Sequence, residues 1–133
     1  MLIFDAHLDL AWNAVEWNRN LELPAADLGR FEKHFVDWFP GPPTVTFPEL
    51  RRGSIGIVIA TLLPRLHRRD KELTFYQSRE AAHGAALGQL AYYRAMCRKG
   101  VLREFPNAAA VTAHVAEWHK AIASGPASMA RPP

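Results

Sequence analysis

The stretch Met1 to Trp12, MLIFDAHLDLAW, decides the fold. Four apolar residues, Met1, Leu2, Ile3 and Phe4, run directly into Asp5, Ala6, His7, Leu8 and Asp9. A short apolar run that ends in polar residues is the pattern of a buried parallel strand reaching its C-terminal edge. Side chains two apart on a strand share a face, so His7 and Asp9 can present an imidazole nitrogen and a carboxylate to one side. Such a pair can hold two sides of a metal ion such as Zn²⁺. In barrel enzymes this edge is where the chemistry sits.

Outward from there, residues 1–6 read as strand one and His7 to Asn13 as the loop after it. Ala14 to Asn20 has room for one or two helical turns. Leu21 to Pro48 is interrupted by Pro24, Gly29, Pro40, Gly41, Pro42, Pro43 and Pro48, yet it carries Phe31, Phe35, Trp38, Phe39 and Phe47. A long loop this aromatic is expected to pack down onto the body of the protein, with a short helix within Leu28 to Phe39. Pro48 to Arg52 reads as a helical turn with proline at its start, broken by Gly53.

Ile55 to Leu63 is the strongest strand of the chain, a near-continuous β-branched run suited to burial on both faces, and Pro64 stops it. Thr74 and Gln77 have capping-box spacing, which predicts a helix running to Lys99 with Gly100 just past its end. Its packing stripe is Ala82, Ala86, Leu90, Tyr93 and Cys97. Val101 to Phe105 reads as a short extended segment. Ala108 to Ala123 reads as a second helix with Val111, Val115, Trp118 and Ile122 on one face. Strands alternating with helices predict a parallel α/β arrangement over residues 1–125, followed by a disordered tail at 126–133.

Composition narrows the function classes. Hydrophobic residues make up 49% of 133, so a packed core is expected rather than disorder. Sixteen basic against thirteen acidic residues give +3, too mild an excess to point to nucleic acid. Cys97 is the only cysteine, so there is no internal disulfide to expect. No leader-like pattern opens the sequence, and the longest apolar run is far short of the ~20 residues a spanning helix needs. These features predict a cytoplasmic protein with no membrane segment.

Asp5-Ala6-His7-Leu8-Asp9-Leu10-Ala11-Trp12 resembles the opening signature of the membrane (renal-type) dipeptidase family, peptidase family M19, which begins with Asp-x-His-x-Asp-Leu. Pro48-Glu49-Leu50-Arg51-Arg52-Gly53-Ser54-Ile55-Gly56 is similar to the family's Pro-x-Leu-Arg-x-Gly-x-Val-Gly segment entering strand two. The resemblance spans most of residues 1–120. It implies a (β/α)₈ barrel with two bridged zinc ions that cleaves dipeptides. It also implies that His7 and Asp9 are metal ligands and that Trp12 lies close to the substrate pocket. Asp5 is then an acceptor orienting a ligand, or simply a cap for the turn.

The sequence departs from the family at Ala6, Leu8 and Ala11, and no Gly-x-Glu-Gly motif occurs in it. A complete barrel takes about 250 residues. The expectation is therefore the N-terminal part of a barrel with two to three parallel strands, catalytically incomplete by itself. An alternative is a non-catalytic fragment or interaction module that docks on a complementary C-terminal chain or forms a homo-oligomer. Another metal hydrolase, such as a phosphoesterase, fits less well, because those more often open with His-x-His.

The remaining candidates have plain readings. His34, His67, His83, His114 and His119 form no tight ligand pair, and His114 with Glu117 reads as a solvated helix face. Arg65, Arg68, Arg69 and Lys71 read as a solvated basic loop after strand two. Cys97 reads as a small buried hydrophobe.

Overall fold

Two β-branched or apolar runs meet as parallel strands, and helices flank them. The computed structural model describes residues 1–34, 41–65 and 76–124. The order is β1 (Ile3–Leu8), α1 (Leu10–Glu16), α2 (Ala25–Glu32), α3 (Phe47–Arg52), β2 (Ile55–Ala60), α4 (Arg79–Arg98) and α5 (Ala108–Ala123). β1 and β2 pair in parallel, from Ile3 opposite Ile55 to Leu8 opposite Ala60, with irregularities between Ile3 and Phe4 and between Asp5 and Leu8. The result is a mixed α/β fold with a two-stranded parallel sheet.

Several boundaries move. β1 runs on through His7 and Leu8, so the histidine belongs to the strand rather than to a loop. α1 begins at Leu10, directly after Asp9, earlier than the turn expected from Ala14. β2 ends at Ala60 rather than Leu63. Val101 to Phe105 joins no sheet. α4 starts at Arg79, where Ser78 Oγ accepts from the Ala81 amide at 3.1 Å. Ser78 is thus the working cap of this helix; Thr74 lies outside the described residues. At the far end Gly100 takes φ +72 and the Val101 amide returns to the Met96 carbonyl at 3.0 Å, the left-handed helix stop that glycine makes easy. Asn107 caps α5 through the Ala110 amide at 3.0 Å.

The core sits beside the sheet. Leu10, Leu21, Leu28, Phe47, Leu50 and Met96 form it, with Leu8, Ile55 and Val58 packed against it. Apolar burial of this kind contributes about 1.5–3 kcal/mol per large side chain. The loop expectation holds for Phe47, which is buried, but Phe31 is exposed. Phe35, Trp38 and Phe39 lie outside the described residues, as do the tail at 126–133 and the basic residues Arg68, Arg69 and Lys71.

A buried ion pair ties the loop down. Arg19 meets Glu32 through two bonds, Nε to Oε1 at 2.8 Å and Nη2 to Oε2 at 2.9 Å. Nη1 reaches Asn13 Oδ1 at 2.8 Å and Nη2 the Gly41 carbonyl at 2.6 Å.

β2 is not buried on both faces. Ile59 keeps 52% of its surface exposed and Phe4 on β1 keeps 54%. An apolar groove of about 790 Å³ runs along the sheet, walled by Leu90 and Cys97 of α4 and by Val115 and Trp118 of α5. Cys97 is accordingly only half-buried. Among the described residues no helix is long and apolar enough to cross a membrane.

Candidate metal-ligand edge

The C-terminal ends of the two parallel strands bring three chemical groups together. His7 is the next-to-last residue of β1, Asp9 follows that strand, and Thr61 follows β2. The sheet ladder continues one step further at this edge, with the Thr61 amide donating to the Leu8 carbonyl at 3.1 Å. His7 Nε2 and Asp9 Oδ1 face each other at 3.3 Å. The imidazole is open to solvent, with 71% of its side chain exposed, while the carboxylate is largely covered at 27%.

That separation suits a metal. Two donors about 2.0–2.2 Å from one zinc ion at a tetrahedral angle stand roughly 3.3 Å from each other. The spacing of the pair is thus compatible with two ligands of a zinc site, as it is with a direct imidazole–carboxylate contact. Among the described residues no group of three or more His, Cys, Asp or Glu side chains converges, so the pair is not a closed set.

The supports of Asp9 come from strand two and α4. Thr61 Oγ1 makes a short hydrogen bond to Asp9 Oδ1 and lies 3.2 Å from the Leu8 carbonyl. The Tyr93 hydroxyl donates to the Thr61 carbonyl at 3.0 Å and accepts from the Ala11 amide at 3.0 Å. Burial raises the Tyr93 phenol above its ordinary range; the nearby Asp9 charge adds to this, and the bond from the Ala11 amide opposes it. Asp5 lies on β1, where its Oδ1 accepts from the backbone amide of His7 at 2.9 Å. Trp12 sits on α1, edge-on to Trp17 with ring centroids 5.6 Å apart and with the Arg65 guanidinium 5.4 Å above its ring.

Thr61 and Tyr93 are absent from the sequence-derived site. The signal for Thr61 was the one used for His7: a polar residue closing an apolar run, at the same edge of the sheet. Tyr93 read as core because its spacing placed it on the apolar stripe of α4.

His114 corrects an expectation. It is buried at 4% exposure rather than solvated. Its Nε2 lies 3.0 Å from the Gly56 carbonyl and its Nδ1 2.7 Å from Arg103 Nη2. A carbonyl only accepts and a guanidinium only donates, so the ring carries its hydrogen on Nε2 and offers the Nδ1 lone pair to Arg103. Arg103 also pairs with Glu117 at 2.8 Å and holds that carboxyl below its ordinary range. This cluster fastens α5 to β2, away from the His7 edge. No protein-family model, curated protein or solved structure matches the chain.

Proposed function

We propose that the chain forms the opening strands of a (β/α)₈ metal-dependent dipeptidase barrel of the membrane-dipeptidase kind, with His7 and Asp9 as two of its metal ligands. One observation carries the reading: the imidazole and carboxylate face each other at 3.3 Å at the C-terminal edge of a parallel sheet. The opening motif and the Pro48 to Gly56 segment support it by resemblance. A zinc pair in such a barrel supplies Lewis-acid polarisation of a peptide carbonyl and a nucleophile at neutral pH. The residues of this chain would hold and orient the metal, and Trp12, with the Arg65 guanidinium over its ring, would flank a substrate.

Two ligands do not make a catalytic zinc centre, which takes three protein ligands and an open position. The purified chain supplied with Zn²⁺ is therefore expected to leave dipeptides intact. Robust hydrolysis that disappears in His7→Ala would show that the chain completes the centre by itself and would overturn this part of the reading.

A second reading has its own observation. Phe4 and Ile59 are more than half exposed on an apolar sheet whose two strands pair, among the described residues, only with each other. Strand edges without a partner invite pairing with another chain. In this reading the protein is a non-catalytic piece that docks on a complementary barrel chain or on copies of itself. Light scattering coupled to gel filtration tests this reading: concentration-dependent association supports docking, and a monomer with a cooperative melt removes its physical basis.

A further inference from the structure

We infer that Thr61 and Tyr93 are positioning residues that free the Asp9 carboxylate from its own helix and aim it at His7, an inference that rests on the ligand reading of that pair. Asp9 occupies the N-cap of α1. An aspartate there ordinarily accepts a bond from the second or third amide of its helix. Asp9 makes no such bond. The second amide, that of Ala11, donates instead to the Tyr93 hydroxyl at 3.0 Å. Tyr93, arriving from α4, does the capping work that would otherwise occupy Asp9.

The released carboxylate is then gripped by β2. The Thr61 hydroxyl has one hydrogen and two acceptors in reach, Asp9 Oδ1 and the Leu8 carbonyl. The shorter, charge-assisted bond to the carboxylate takes it. Thr61 is itself fixed by its amide on Leu8 and its carbonyl under the Tyr93 hydroxyl. A carboxylate oxygen has two lone pairs, so Oδ1 can hold the hydroxyl with one and keep the other toward His7 Nε2 at 3.3 Å. The ends of both strands and two helices thus cooperate to set one oxygen.

Nuclear magnetic resonance on the full chain tests this in two stages. Without metal, Thr61→Val keeps the shape and removes the hydroxyl, Thr61→Ser restores it, and Tyr93→Phe returns the Ala11 amide to Asp9. The expected result is that the Asp9 side-chain carboxyl carbon shifts in Thr61→Val and Tyr93→Phe and stays in place in Thr61→Ser. Zn²⁺ titration followed at the His7 ring is expected to show affinity reduced about tenfold in the first two variants and retained in Thr61→Ser. An Asp9 carboxyl signal unmoved in both Thr61→Val and Tyr93→Phe overturns the positioning role. An Asp9 signal that moves as expected, with no Zn²⁺ response at His7 in the parent chain, overturns the ligand reading instead.

Discussion

Gly56 and Trp118 touch so closely that no other residue fits at position 56. A β-carbon there would stand 2.8 Å from Trp118 Cζ3 and 2.9 Å from Cε3. The indole is a rigid plate held next to His114, so it cannot move aside as a flexible chain end would. Gly56→Ala is expected to destabilise the fold by about 1–3 kcal/mol through overpacking. Urea denaturation measures this, and the penalty should shrink in a Trp118→Leu background, where the plate is gone; equal penalties in both backgrounds would contradict the contact.

The same contact shows what was legible in the sequence. The stripe of Val111, Val115, Trp118 and Ile122 predicts an α5 that packs through one face, and its bounds agree with the observed helix. His114 lies three residues after Val111 and four before Trp118, so its spacing already put it on that stripe. Its polarity sent it to solvent in the sequence reading. What spacing cannot reveal is the Gly56 carbonyl waiting on a strand far away in the chain, which makes burial of an imidazole tolerable. Gln89 repeats the lesson on α4. It is fully buried at 0% exposure because its side chain accepts from the Leu63 amide at 2.7 Å.

At the scale of elements, the strands were readable from their apolar runs, and their parallel pairing followed from alternation with helices. The attachment of the loop between α1 and α3 was not. It depends on Arg19 finding Glu32, thirteen residues on, with both side chains 7% exposed. Neither residue carries a local signal for burial. Removing one partner strands a buried charge, so Arg19→Met is expected to cost about 3–5 kcal/mol. Thermal unfolding of the variant checks this, and an unchanged midpoint would mean that the pair is dispensable.

α4 and the short segment leading into it carry all three tyrosines of the chain, and each has its phenol raised. Tyr76 is pushed up to about 12 by burial and by its bond to Glu16, and Tyr92 to about 12 by burial and the Glu22 charge. A raised phenol keeps its proton longer when folded than when unfolded. Its stabilising contribution is complete below the ordinary value of 10.0 and is lost as pH climbs through about 12. Ultraviolet absorbance at about pH 11 should therefore show these phenols still protonated in the folded chain and ionised in urea. Ionisation at the ordinary tyrosine pH in the folded chain would contradict the packing of α4.

For the whole molecule, the sheet is the informative part because the described residues leave part of it uncovered. β2 has the composition of a strand buried on both faces, yet its last two residues, Ile59 and Ala60, are exposed. Composition alone predicts that burial, whereas burial needs a second layer, and the described helices provide only part of one. The core meanwhile gathers beside the sheet around Leu10, Leu21 and Phe47. Among the described residues the fold thus covers the sheet from one side and leaves part of it open, and the proposed function assigns that open part to further strands.

That account stands on His7 and Asp9 acting as a pair toward one cation. The most direct measurement is the Zn²⁺ affinity of the parent chain beside His7→Ala and Asp9→Asn, with His83→Ala as a control on an exposed helix position. The account predicts saturable binding that is lost in both site variants and unchanged in the control. Binding that survives the loss of either His7 or Asp9 would contradict it.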